Sequence, residues 1–188
     1  MAERARLAAS AFTAIAFYVF VYTMWLKRTS VQNIVIGGAA GAAPALVGWA
    51  AVTGTVGLPA WILFAIVFVW TPPHFWALAL KYRGDYAEAG IPMLPVVRGP
   101  EETRRQILRY SLVLFATSLL LVPFGHMGPT YGATAVVLGA WFVWRALVLH
   151  RSGSPAEPMR LFRYSILYLA LLFAAVAVDA VLPAGPLA

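Results

Sequence analysis

The sequence contains no cysteine. A disulfide framework and thiolate metal ligation are therefore both excluded. Acid is scarce as well: 7 Asp and Glu stand against 14 Lys and Arg, a formal net charge of +7. Charge of either sign makes up only 11% of the 188 residues. A soluble domain with so little polar surface would leave much apolar side chain against water, so the water-soluble classes are disfavoured. No basic run is long enough to track a phosphate backbone, which argues against nucleic acid as a partner.

What the chain has instead is hydrocarbon. Hydrophobic residues are 62% of it and the mean hydropathy is +0.79. A helix needs about 20 mostly apolar residues to cross a bilayer core. Six runs meet that length, at roughly 7–26, 34–52, 59–80, 105–124, 130–149 and 163–182. The expected fold class is all-α, a polytopic transmembrane helix bundle with about six spans. Thr53-Gly54 to Pro59 and Gly125 to Pro129 read as short turns, and "HRSGSPAEPMRLF" at 150–162 as a polar, proline-rich loop. Pro100 followed by Glu101 and Glu102 is a helix-start signature, with anions at the positive end of the dipole.

The basic residues assign sides. Lys27 and Arg28 follow the first span, and Lys81, Arg83, Arg98, Arg104, Arg105 and Arg109 cluster around the 81–105 loop. Arg145, Arg151, Arg160 and Arg163 flank the last loop, so alternate loops carry 12 of the 14 Lys and Arg. Those loops are expected in the cytoplasm. Both chain ends then fall outside, although Arg4 and Arg6, with no cleavable leader pattern, favour an inside N-terminus. Either an odd number of spans precedes this chain in a longer protein, or a short N-terminal tail is translocated.

Three groups of residues could carry chemistry. The 81–105 loop places Asp85 among Lys81, Arg83 and Arg98, ahead of a rigid Ile-Pro-Met-Leu-Pro. Mg²⁺ takes few carboxylates and keeps its other positions for water and phosphate oxygens. Asp85 could therefore hold a divalent cation that bridges an anion gripped by the bases, with the IPMLP segment closing over it. The plainer reading is a solvated basic loop with two balancing acids. His74, in "WTPPHFWALAL", lies inside a span after two prolines. An ionisable residue at membrane depth is costly and points to function. It could be a haem contact, a general acid or base, or simply a histidine bonded to a neighbouring helix carbonyl. Lys27, Arg28 and Asn33 could line an anion site, or serve as a positive anchor and a helix cap. Gly37, Gly41 and Ala45, and likewise Gly38 and Ala42, recur every four residues, which marks close helix packing. Trp49, Trp61, Trp70 and Trp76 read as belt or core, or as aromatic walls of a prenyl tunnel. Asp179 reads as a satisfied or snorkelling carboxylate.

The blocks "YTMWLKRTSVQNIVIGGAAGAAPALVGWAAVTG" and "WTPPHFWALALKYRGDYAEAGIPMLPVV", with the spacing between them, resemble the haem-farnesylating branch of the UbiA-type intramembrane prenyltransferases. The resemblance runs from about Tyr18 to the C-terminus. It implies a nine-helix bundle with a cytoplasmic-face active site, and transfer of farnesyl from farnesyl diphosphate to a vinyl group of haem B. Mg²⁺ would accompany the diphosphate, and haem would be a substrate, not a cofactor. The family's second acidic motif falls on Asp85-Tyr86, its His-Phe-Trp element on His74, Phe75 and Trp76, and its basic segment on Lys27, Arg28 and Asn33. Asp85 is then the expected Mg²⁺ ligand, His74 the residue at the haem, and Lys27, Arg28, Asn33, Lys81, Tyr86 and Arg98 the substrate contacts. Other implied associations are membrane lipid, haem A synthase or cytochrome oxidase assembly partners, and a bacterial inner membrane. The family's first motif, Asn-x-x-x-Asp-x-x-x-Asp, does not occur in these 188 residues, and a DxxxD partner for Asp85 would fall on Lys81 or Ala89. The chain is thus expected to be one transmembrane prenyltransferase domain without its first three helices, and to turn over little alone. A non-catalytic scaffold, or a prenyltransferase for another aromatic or tetrapyrrole acceptor, are the alternatives.

Overall fold

The structure, a computed structural model, describes Phe12 and residues 15–181. A π-helix, Phe17–Leu26, leads into a single turn, α1 (Lys27–Thr29), and then into α2 (Asn33–Thr53) and α3 (Leu58–Lys81). Two short helices follow, α4 (Arg83–Glu88) and α5 (Leu94–Val97). Three long ones complete the chain: α6 (Gly99–Gly125), α7 (Pro129–Ser152) and α8 (Glu157–Val181). No strand occurs among the described residues. The helices α2, α3, α6, α7 and α8 are long and apolar enough to cross a membrane. The first expected span, 7–26, lies partly outside the described residues.

The observed helices run past the expected ends. The fourth begins at Gly99 rather than near 105, and the sixth at Glu157 rather than near 163. Both extensions are polar first turns. Pro100 sits at the start of α6 with Glu101 and Glu102 beside it, a turn that needs no apolar residue to be helical. The polar 150–162 segment is likewise mostly helical, since His150 to Ser152 end α7 and Gly153, at φ 58°, closes it in the left-handed region that suits glycine. The 81–105 loop holds α4 and α5 instead of running free. Met93 and Leu94 are buried, so the IPMLP stretch is anchored into the bundle.

The helix α3 is the hub. It packs against α2, α6 and α8, while α6 meets α7 and α7 meets α8, so α3, α6, α7 and α8 form a closed ring. Over its most apolar stretch α3 is 56% buried, against 22–28% for the other four long helices, which leaves those free to face lipid. Inside the ring lie Ile107, Leu114, Tyr131, Phe142 and Tyr168. Its two buried tyrosine hydroxyls are partnered: Tyr131 Oη donates to the Ser118 carbonyl at 2.8 Å, and Ser118 Oγ lies 2.7 Å from Tyr168 Oη.

Candidate active site

Consecutive spans alternate in direction, so the start of α2, the end of α3, α4, α5, the start of α6 and the α7–α8 turn share one end of the bundle. This is the cationic end. His74 lies about two helical turns below Lys81 on α3. Pro72 and Pro73 precede it, and α3 continues through both although neither can donate a backbone hydrogen bond. His74 is 8% exposed. Its ring is sandwiched between Trp70, with centroids 4.2 Å apart, and Phe162 on α8, at 4.5 Å. Its Nδ1 lies 2.7 Å from Ser165 Oγ, which itself donates to the Phe162 carbonyl at 2.6 Å. Trp70 Nε1 donates to the Ser165 carbonyl at 2.8 Å. The histidine is thus bound to a hydroxyl of α8 and not to a helix carbonyl.

Trp70 also lines an apolar groove of about 510 Å³ between α2, α3 and α8. Its walls include Gly41, Ala42, Pro44, Val67 and Phe173. Small residues on α2 open this space, and the stacked rings separate it from His74.

The polar groups gather above. Asp85, in the first turn of α4, is exposed and has no ion pair within 4.0 Å among the described residues, and Lys81 and Arg98 are exposed as well. Tyr86 is half-buried against the core, and its carbonyl accepts from Ile91 N at 3.0 Å, which folds the IPMLP strap back. Lys27 is exposed, and the Arg28 side chain lies outside what is described. Asn33 is buried, with Nδ2 donating to the Lys27 carbonyl at 3.5 Å and Oδ1 without a partner. Asn33 thus meets the Lys27 backbone and not its ammonium group. No contact joins Asp85 to either, and no group of three metal-ligating side chains occurs among the described residues. Asp85, with Glu88 three residues on along the same exposed helix, offers at most two carboxylates, which suits a cation that also takes phosphate oxygens as ligands.

Two features were not singled out from the sequence. Ser165 carries no motif; its only signal is its place on the inward stripe Leu161, Ser165, Tyr168 and Leu172, where a polar residue needs a partner. Glu157, buried at the start of α8, lies 2.9 Å from Arg145 Nη2 and 2.7 Å from Arg160 Nη1. In sequence it is the one acid among Arg145, His150, Arg151, Arg160 and Arg163 around the α7–α8 turn, and that imbalance was visible.

Comparison with known proteins bears on this arrangement. The model of the UbiA prenyltransferase family matches residues 4–179. A protoheme IX farnesyltransferase of Frankia alni is 61% identical over 171 residues, covering 89% of this chain and 59% of that protein. One of Gloeobacter violaceus is 56% identical over 172 residues, covering 91% of this chain and 56% of that protein. The chain thus spans under two thirds of the length of these relatives. A solved chain from work on digeranylgeranylglyceryl phosphate synthase in membranes superposes with a TM-score of 0.82, over 94% of this chain and 62% of that one. At 15% identity that likeness speaks for the fold alone. The helical architecture, the apolar spans and the family match over nearly the whole chain agree: this is an integral membrane protein that belongs to the UbiA prenyltransferase family.

Proposed function

We propose that this chain takes part in transferring a farnesyl group from farnesyl diphosphate to a vinyl group of haem B, giving haem O and diphosphate. The observation that carries the reading is the placing of His74: buried at an aromatic seam, next to an apolar groove, and two turns beneath an end rich in cations. The names of the relatives point to the same acceptor.

In this reading Lys81, Arg98, Lys27 and Arg28 attract the diphosphate, with Asn33 and Tyr86 at the edge of the same site. Asp85 would hold a Mg²⁺ entering with the diphosphate, and the charge of the ion would help neutralise the leaving group. The C1–O bond of the farnesyl group breaks, and its electron pair leaves with the diphosphate. The apolar walls keep bulk water from the farnesyl cation while the vinyl π-bond attacks it. One water then adds to the vinyl-derived cation and loses a proton, which completes the hydroxyl. His74 orients the haem or takes that proton. The sites lie at the cytoplasmic side of a bacterial inner membrane, and the chain forms one transmembrane prenyltransferase domain with a single acidic motif. Haem A synthase or an oxidase assembly factor would receive the product.

The test is formation of haem O from haem B, farnesyl diphosphate and Mg²⁺. The purified chain alone is expected to give little, because one acidic motif supplies half of the usual ligands. Co-expression with a polypeptide carrying Asn-x-x-x-Asp-x-x-x-Asp is expected to restore turnover, and Asp85→Ala to abolish it with unchanged membrane insertion. No haem O in the co-expressed pair would overturn the reading. Full activity of Asp85→Ala would remove that residue from the site.

A further inference from the structure

We propose that Ser165 is a positioning residue for His74, holding the imidazole as the Nδ1–H tautomer so that Nε2 keeps its lone pair. The hydroxyl of Ser165 has one proton. That proton is committed to the Phe162 carbonyl, 2.6 Å away. The 2.7 Å contact between Ser165 Oγ and His74 Nδ1 can then be a hydrogen bond only if Nδ1 carries the hydrogen and donates it. The opposite assignment would turn the serine proton to the ring and leave the serine oxygen facing a carbonyl oxygen at 2.6 Å, with no hydrogen between them.

The surroundings make this orientation hard to escape. Trp70 and Phe162 stack on the two faces of the ring, and Phe75 meets its edge with centroids 4.9 Å apart. Trp70 is fixed by its own bond to the Ser165 carbonyl, so one residue of α8 anchors both the histidine and one of its stacking partners. Ser165 itself is fully buried, so no water competes for its oxygen. In the neutral imidazole this leaves the single free electron pair on Nε2, fit to accept a proton or to bind a metal centre. A group bonded to the other ring nitrogen sets which nitrogen is left free.

The tautomer follows from the geometry alone. Only the consequence for haem rests on the proposed function, and two measurements keep them apart. The first is long-range ¹H–¹⁵N correlation on the full chain, labelled at its three histidines and free of haem, with His74→Gln to assign the signal. The wild type is expected to show His74 protonated at Nδ1. Ser165→Ala is expected to shift it toward the Nε2–H form, and Ser165→Thr, which keeps the hydroxyl, to restore it. An Nε2–H signal in the wild type would overturn the proposal whether or not the variants fold. So would an unchanged Nδ1–H signal in a folded Ser165→Ala.

The second measurement is a haem B titration followed at the Soret band. Loss of such an outer partner weakens a metal contact by on the order of tenfold or more. Ser165→Ala is expected to show that loss and Ser165→Thr to recover it. Equal affinity in all three would refute the haem role of Ser165. If the wild type bound no haem at all, the farnesyl-transfer reading would fall, and the nitrogen spectra would still decide the tautomer.

Discussion

Asp179 shows what one carboxylate does at the opposite end of the bundle. The helix α7 opens with Gly128 in an extended conformation and has no side-chain cap of its own. Asp179, from the last turns of α8, supplies one: its Oδ2 accepts from Tyr131 N at 3.2 Å. A side chain at position 128 would stand 3.1 Å from that oxygen, so glycine there admits the carboxylate. Removing a cap of this kind costs about 1 kcal/mol. Asp179→Ala is expected to lower the thermal midpoint in detergent, and Asp179→Asn, which still accepts, to recover most of it. The sequence left Asp179 as either satisfied or snorkelling, because a capping partner nearly 50 residues away leaves no local trace. Ser165 was illegible for the same reason. His74 could be singled out because an ionisable group inside an apolar run stands out by composition alone.

Among the elements, α2 and α3 show how spacing becomes contact. Both four-residue stripes on α2 promised close packing, and the stripe of Gly38 and Ala42 provides it against α3. Gly38 faces Thr71, where a Cβ would stand 3.1 Å from the threonine Cβ, and Ala42 is fully buried. Gly41 has nothing within 4 Å and opens onto the groove. A larger residue at the contact forces the helices apart at about 1–3 kcal/mol. Gly38→Val is thus expected to lower the melting temperature, and Gly41→Val to leave it nearly unchanged; equal effects would contradict the assignment of faces. The glycine spacing was plain in the sequence, but which stripe meets α3 depends on the rotation of a helix apolar all round. Helix ends escaped for a related reason. Apolar runs mark where lipid stops, whereas polar turns such as Gly99–Thr103 and Glu157–Arg160 continue the helix beyond it.

For the molecule as a whole, the spans were the most readable feature, because a bilayer demands long apolar runs and charge bias sets their direction. The absence of cysteine makes the orientation simple to test. Thr55 lies in the turn between α2 and α3, and Ala87 on α4 at the cationic end; both are exposed. In intact cells Thr55→Cys is expected to react with a membrane-impermeant maleimide, and Ala87→Cys only after permeabilisation. The reverse pattern would invert the bundle and move Asp85 to the outer face. The site itself was less readable than the spans. Sequence already grouped Lys27 with Asn33, six residues on, but it separates both from His74 and Asp85 by long intervals and leaves no trace of the contact between His74 and Ser165.

The shared use of α3 has a cost that no single contact reveals. One rod closes the four-membered ring, carries the outlying α2 and presents the imidazole. A shift of α3 by even a fraction of an ångström would be felt on three flanks and at the histidine–serine contact together. A substitution in the interior of this rod is therefore expected to register in several contacts at once, whereas one on a lipid-facing side of the outer helices registers in few.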